Sequence, residues 1–370
     1  MEIKEKVALL AEGGKYDVCS CSCSQSTRRP SPVYRSFTPD GRYVSLFRVL
    51  MTNRCSGDCS YCPNSCERRI PRAELSKDEY VKVFLHFYKA HFVNGLFLSS
   101  GILKDPDSTT EKMVEIVEHL RYKEGYRDYI HLKILPGASY DVIRRAARMA
   151  DRLSINIETP SGSHLSGLCS TKDYRNDIIR RMGWLADMEK RGIGMPAGQT
   201  TQFVVGASGE NDHEILECME NLYTSFSLRR CYFSAYIPIV KFPQPHRRPP
   251  LTREHRLYQT DFLLRRYGFS LKDIFFDDKD NLPLRHDPKF IFAMRRKELF
   301  PIDVNEAPMC DLVKVPGIGP TSARRIVAAR KSGFRFSKMA ELKNVGVVSR
   351  KACGFLDIGK RIQMRLSYDD

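Results

Sequence analysis

The sequence predicts an α/β protein: a partial (β/α)6 barrel followed by a small all-α unit. Three observations carry that expectation. Six short apolar runs alternate with helical patterns between Tyr43 and Ile239. A tight cysteine-bearing loop directly follows the first run. The last 130 residues turn basic and close on two glycine-containing hairpins.

The apolar runs are Val44–Leu50, Gly95–Ser99, Ile130–Leu135, Leu153–Ile157, Gln202–Gly206 and Cys231–Ile237. Continuous apolar runs of this length read as parallel strands buried on both faces. Helical patterns fill the gaps. Ser76-Lys-Asp-Glu79 and Ser108-Thr-Thr-Glu111 are capping-box sequences opening two of them. Residues 139–150, 173–191 and 211–226 read as further helices, and residues 2–12 as a short leading one. Six β/α units imply crossover connections, an open rather than closed barrel, and ligand groups in the loops at the C-terminal strand ends.

The totals narrow the functional classes. The chain has 370 residues, enough for two or three domains, with an ordinary apolar share of 42%. There is no apolar run of 18 residues and no signal-peptide core, so we expect a cytoplasmic protein without membrane spans. Twelve cysteines in such a chain point to metal or redox use. The net charge is +16, and residues 241–370 carry 27 Lys and Arg against 15 Asp and Glu. That bias predicts a polyanionic partner, DNA or RNA; a basic surface serving solubility alone has the same composition.

Cys55-Ser-Gly-Asp-Cys59-Ser-Tyr-Cys62 places three thiols at C-x3-C-x2-C spacing. Thiolates suit iron–sulfur clusters and zinc. Zinc would need a fourth donor, which Cys66 offers, although four ligands within twelve residues are unlike the paired spacing of a zinc ribbon. A [4Fe–4S] cluster held by three cysteines keeps one iron open. Cys19, Cys21 and Cys23 alternate along the chain, so a second centre there would need a sharp turn. Cys169, Cys218, Cys231, Cys310 and Cys353 stand alone in sequence and read as buried small side chains. Lys133 lies in an apolar strand and points either into the lumen or to solvent.

Leu312-Val-Lys-Val-Pro-Gly317-Ile-Gly319-Pro-Thr-Ser-Ala323 matches a helix-hairpin-helix, with a weaker echo at Leu342–Ala352. Glycines allow the tight turn, and the following helix offers free N–H groups to phosphate. Lys314, Gly317, Ile318, Gly319, Thr321, Arg324 and Arg325 are the expected nucleic-acid contacts. Such a module grips backbone without reading bases; a hairpin used for protein contacts is the alternative. The expected domains are an N-terminal extension (1–42), the barrel (43–240), a basic helical linker or cap (241–304) and the hairpin module (305–360).

The cysteine loop, with aromatic Tyr61 before the third cysteine, resembles the signature of the radical S-adenosylmethionine (SAM) superfamily. The resemblance implies a [4Fe–4S] cluster on Cys55, Cys59 and Cys62, SAM on its open iron, and reductive cleavage to a 5′-deoxyadenosyl radical. It further implies SAM contacts at Tyr61, Ser99, Ser100, Gly101, Glu158, Gly206 and Tyr236. A flavodoxin or ferredoxin would supply the electron. Segments along nearly the whole chain, including Lys15-Tyr16-Asp17, Leu96–Gly101, Ile130–Ser139, Pro196–Gln202 and Arg253–Gln259, resemble the DNA modification/repair radical SAM proteins. The cysteines at 19–23 depart from that group's serine-rich stretch. An RNA- or tRNA-modifying radical enzyme, or a nucleic-acid-binding protein with a structural or redox-sensing cluster, are the competing functions.

Overall fold

The computed structural model describes residues 1–17, 31–37, 43–238 and 249–359. Cys19, Cys21, Cys23 and most of the Pro/Arg stretch after Val240 lie outside the described residues. The chain divides into two compact units, Met1–Glu254 and His255–Asp370.

The first unit opens with helix α1 (Ile3–Gly13) and strand β1 (Val33–Phe37). Alternating elements follow: β2 (Tyr43–Leu50), α2 (Lys77–Lys89), β3 (Gly95–Ser99), α3 (Pro106–Glu118), β4 (Ile130–Lys133), α4 (Tyr140–Met149) and β5 (Arg152–Ser154). Then come α5 (Gly162–Ser166), α6 (Arg180–Lys190), β6 (Gln199–Val205), α7 (Asp212–Phe226) and β7 (Arg230–Ala235). The seven strands form one curled, open half-barrel sheet in chain order, parallel from β2 to β7. Sequential order follows because each crossover helix returns the chain to the neighbouring edge.

Two expectations needed correction. β1 pairs antiparallel with β2, giving a seventh strand, because Val-Tyr-Arg-Ser-Phe is too short and polar to read as a buried run. Helix α3 starts at Pro106 under Asp105, whose side chain accepts from Ser108 N–H at 2.7 Å, so Ser108 is inside the first turn instead of capping it. Proline at the first helical position and aspartate before it outcompete the serine box. The box at Ser76 does cap α2, through Glu79.

Burial follows the pattern. Phe47 on β2 meets Tyr80 and Phe84 of α2 edge-on, both ring pairs 5.8 Å apart, and Tyr80 donates to Val49 O at 2.8 Å. The hydroxyl is thereby satisfied inside an otherwise apolar layer. Strand β5 is shorter than its apolar run; Ile155–Ile157 continues toward a single bridge between Glu158 and Phe203.

Helix α8 (Leu251–Tyr267) begins in the first unit and runs into the second. The second unit continues with α9 (Pro288–Arg295), β8 (Ile302–Asp303), α10 (Met309–Leu312), α11 (Pro320–Lys331), α12 (Met339–Asn344), α13 (Ser349–Ala352) and β9 (Leu356–Asp357). The parallel pair β8–β9 brackets the four hairpin helices in sequence. Leu312, Val315, Ile318, Ala323, Ile326 and Leu342 make its buried core. Gly317 sits at φ +83, and a Cβ there would lie 2.5 Å from Val348 O. Only glycine fits, so the first turn can press on the second hairpin.

Candidate active site

The loop after β2 has no regular structure, and its backbone groups are satisfied from outside. Met51 N–H donates to Ser99 O (2.9 Å), Gly101 N–H to Thr52 O (2.8 Å) and Ser56 N–H to Ile102 O (2.7 Å), stapling it to the end of β3. The Arg72 guanidinium donates to the carbonyls of Asn53, Asn64, Ser65 and Arg68 at 2.5–2.9 Å. One planar cation thus organises four carbonyls that would otherwise be orphaned.

Cys55, Cys59 and Cys62 all line one cavity at the C-terminal strand ends, enclosing about 1050 Å³ of empty space including its open mouth. Gly57 lies between the first two thiols: a Cβ there would be 3.5 Å from Cys55 Sγ and 3.8 Å from Cys59 Sγ. Cys55 Sγ accepts from the amides of Gly57 (3.3 Å) and Ile102 (3.4 Å). Three soft donors on one cavity wall, with backbone N–H groups aimed at sulfur, fit an iron–sulfur ligand set. Cys66 is exposed and lies off the cavity lining, so the zinc set with Cys66 is not assembled. Among the described residues no preformed group of three metal donors closes around a point.

The thiols sit in unequal environments. The hydrogen bond with Cys169 lowers the Cys59 pKa despite its burial, while burial pushes the Cys62 thiol up to about 12. Burial opposes a charge on Lys172, yet Cys59 and Glu158 raise its pKa above the usual lysine range. Lys172 Nζ donates to Tyr61 OH at 3.1 Å and lies 3.6 Å from Glu158 Oε1. Glu158 is 6% exposed, and its second oxygen Oε2 is buried without a hydrogen-bond partner. Its backbone is left-handed, φ +66, held by Glu158 N–H to Gln202 O (3.0 Å) and Val204 N–H to Glu158 O (2.8 Å). A left-handed backbone and a half-satisfied carboxylate in a cleft make Glu158 a candidate ligand contact.

The remaining expected contacts separate. Tyr236 joins Leu168 and Ala207 in an apolar patch against which Tyr61 and Val204 pack, and both tyrosines line the cavity. Ser99 hydroxyl donates to Asp17 at 2.7 Å, and Ser100 hydroxyl to Gly101 O at 2.7 Å. Gly101 meets the loop itself: a Cβ would lie 2.3 Å from Arg54 O. Gly206 is off the cavity lining; it packs on Pro249, and its N–H donates to the Glu210 carboxylate.

Sequence reasoning left several neighbours without an assigned role. Lys133 points into the lumen and pairs with Asp17, whose backbone carbonyl also accepts from Arg48 at 2.9 Å. Gln202 amide donates to Tyr16 O at 3.1 Å. The segment after α1 thus lies across four strands of the sheet. The lysine within an apolar strand and the charged Lys15-Tyr16-Asp17 run were the available signals. Lys172 and Cys169 gave none, since nothing in their spacing ties them to a loop more than a hundred residues earlier.

In the second unit, Ile318 is buried, and its carbonyl accepts from Lys289 Nζ at 2.5 Å. Burial lowers the Lys289 pKa to about 7. Gly319 caps α11 without any side-chain bond, and Thr321, Arg324 and Arg325 are exposed on its first turns. Lys314 pairs with Asp311 at 2.9 Å.

An open α/β half-barrel presents three thiols on one cavity at its strand ends, a donor set that suits a thiolate-held cofactor. Residues 49–222 match the radical SAM superfamily, and residues 300–353 the helix-hairpin-helix motif. Residues 49–222 thus carry a radical SAM domain and residues 300–353 a C-terminal helix-hairpin-helix; the radical SAM family implies an iron–sulfur cluster and SAM. No curated protein matches the chain. Among solved structures it is similar to HydG, a maturase of the [FeFe]-hydrogenase: 12% identity, TM-score 0.45, 58% of this chain and 48% of that one. It is also similar to methylornithine synthase (PylB), with 16% identity, TM-score 0.43 and 56% and 59% covered. For a radical SAM methyltransferase from Sphaerobacter thermophilus the values are 19%, 0.40, 63% and 75%. The chain spans about half the length of the hydrogenase maturases. No helix among the described residues is long and apolar enough to cross a membrane.

Proposed function

We propose that the protein cleaves SAM reductively at a [4Fe–4S] cluster held by Cys55, Cys59 and Cys62, and acts on DNA in repair or modification. The observation that carries the first half is the cavity shared by the three thiols and Glu158, whose Oε2 has no hydrogen-bond partner. The second half rests on the helix-hairpin-helix match and the basic C-terminal composition. When bound, cluster and SAM supply a 5′-deoxyadenosyl radical for hydrogen abstraction.

The residues divide the remaining work. Glu158 Oε2 is free to accept from hydroxyls of the bound nucleoside, while Oε1 faces Lys172 Nζ at 3.6 Å. Tyr61 and Tyr236 offer apolar faces for adenine. Ser99, Ser100 and Gly101 line the cavity beside Cys55 and take the amino group in this reading. The α11 N-terminus with Arg324 and Arg325 takes backbone phosphate, as a helix start with free N–H groups does. A base substrate has to leave its stack to reach a barrel lumen. A ferredoxin or flavodoxin is the expected electron donor.

The test is anaerobic reconstitution followed by dithionite and SAM. We expect 5′-deoxyadenosine well above a Cys55→Ala control; equal yields refute the enzymatic reading. Competition among duplex DNA, single-stranded DNA and tRNA then selects the polymer. Affinity should fall steeply with salt, and salt-insensitive binding removes the phosphate argument.

A further inference from the structure

Cys169 stood alone in sequence, yet its Sγ lies 3.3 Å from Cys59 Sγ. The contact is built, not incidental. Asp58, inside the cysteine loop, accepts from Cys169 Sγ (3.1 Å), Ser170 N (3.0 Å), Ser170 Oγ (2.5 Å), Thr171 N (3.3 Å) and Thr171 Oγ1 (2.9 Å). Ser60 N–H donates to Leu168 O at 2.8 Å. One carboxylate and one backbone bond therefore clamp residues 168–171 onto the loop that carries the three cavity thiols. Both sulfurs are buried, Cys59 at 5% and Cys169 at 3% exposure, and of the two only Cys59 lines the cavity.

We propose that Cys59 and Cys169 form a peroxide-responsive disulfide that closes the cluster site while the cluster is absent. This rests on the reading of Cys59 as a cluster ligand. Hydrogen peroxide reaching the cavity oxidises Cys59 to the sulfenic acid and releases one water. The Cys169 thiol then attacks that sulfur, the S–S bond forms, and hydroxide leaves with the thiol proton as a second water. The two sulfurs together lose two electrons, and peroxide gains them. The sulfurs need to close by roughly 1.2 Å to reach bonding distance. Cys169 is buried beside its target, so it attacks ahead of solvent thiols. The disulfide withdraws one of three ligands and shields it from irreversible oxidation. A dithiol reductant restores it by exchange.

The experiment treats metal-free, reduced protein with stoichiometric hydrogen peroxide, then maps cross-links by non-reducing peptide mass spectrometry and measures iron uptake on reconstitution. We expect a Cys59–Cys169 peptide, several-fold lower iron uptake, and recovery with dithiothreitol. Cys169→Ser should load iron normally before treatment and lose capacity irreversibly after it. A cross-link confined to Cys55, Cys62 or Cys66, or dithiothreitol recovery in Cys169→Ser equal to wild type, overturns the proposal while leaving cluster binding intact. Failure of untreated wild type to take up iron overturns the cluster reading instead, and the lock with it.

Discussion

Replacing Gly101 by alanine tests the packing on which the cysteine loop depends. A Cβ at Gly101 would lie 2.3 Å from Arg54 O, 3.0 Å from Arg54 C and 3.2 Å from Cys55 Cβ. Real contacts of this kind stay above about 3.0 Å, so one backbone has to yield by roughly 0.7 Å. Neither is free to move. Gly101 N–H is bonded to Thr52 O at 2.8 Å, and Ser56 N–H to Ile102 O at 2.7 Å, on either side of the clash. Overpacking of this kind costs about 1–3 kcal/mol, which is roughly a 5- to 150-fold change in an equilibrium constant. The loss should appear both as a lower denaturation midpoint of the metal-free protein and as reduced iron loading. Gly57→Ala is the contrast: its Cβ makes ordinary contacts at 3.5 and 3.8 Å with two thiols, so the fold should hold while iron loading falls. Wild-type stability and full loading in Gly101→Ala would refute the claim that the β3 end positions the loop. Equal loss of fold stability in both variants would refute the distinction between them.

Three further outcomes are expected. Lys172→Met leaves Glu158 buried without its cation and should cost about 3–5 kcal/mol in denaturant unfolding; Lys172→Met with Glu158→Gln should regain most of it, and failure to do so sinks the ion-pair account. Gly317→Ala combines a left-handed backbone with a 2.5 Å approach to Val348 O, so a loss of about 2–4 kcal/mol in the second unit and weaker DNA binding should follow; unchanged hydrogen exchange in the hairpins would contradict this. Lys289 has a folded pKa near 7, below its unfolded value of 10.5, so the unfolded state binds the extra proton between them and wild-type stability rises with pH across that window. Lys289→Met should therefore show its largest melting-temperature advantage below pH 7, shrinking toward pH 10; an advantage constant with pH would exclude a buried, titrating lysine.

The six parallel strands were readable because each is a short apolar run bounded by helical periodicity, and the three-cysteine loop because its spacing is a local property. β1 was not, since an edge strand of five half-polar residues needs its partner β2 to define it. Ser108 misled for a related reason: two start signals stood three residues apart, and the proline–aspartate pair prevailed. Of the cavity, Tyr61 and Glu158 were named only through the radical SAM resemblance, and both line it. Asp17 and Lys133 offered only the oddity of a charge in an apolar context.

Composition, periodicity and spacing alone determined the half-barrel, the thiol loop at its first strand end and the glycine hairpin, because each depends on residues within about one turn or one strand of each other. Tertiary folding decided which distant groups meet the loop. Cys169 and Lys172 reach it, and Glu158 is left with an unpaired oxygen, because strands return to one edge and bring loops a hundred residues apart within bonding distance. Such contacts arise from where a chain is forced to pass, and no local pattern records that path.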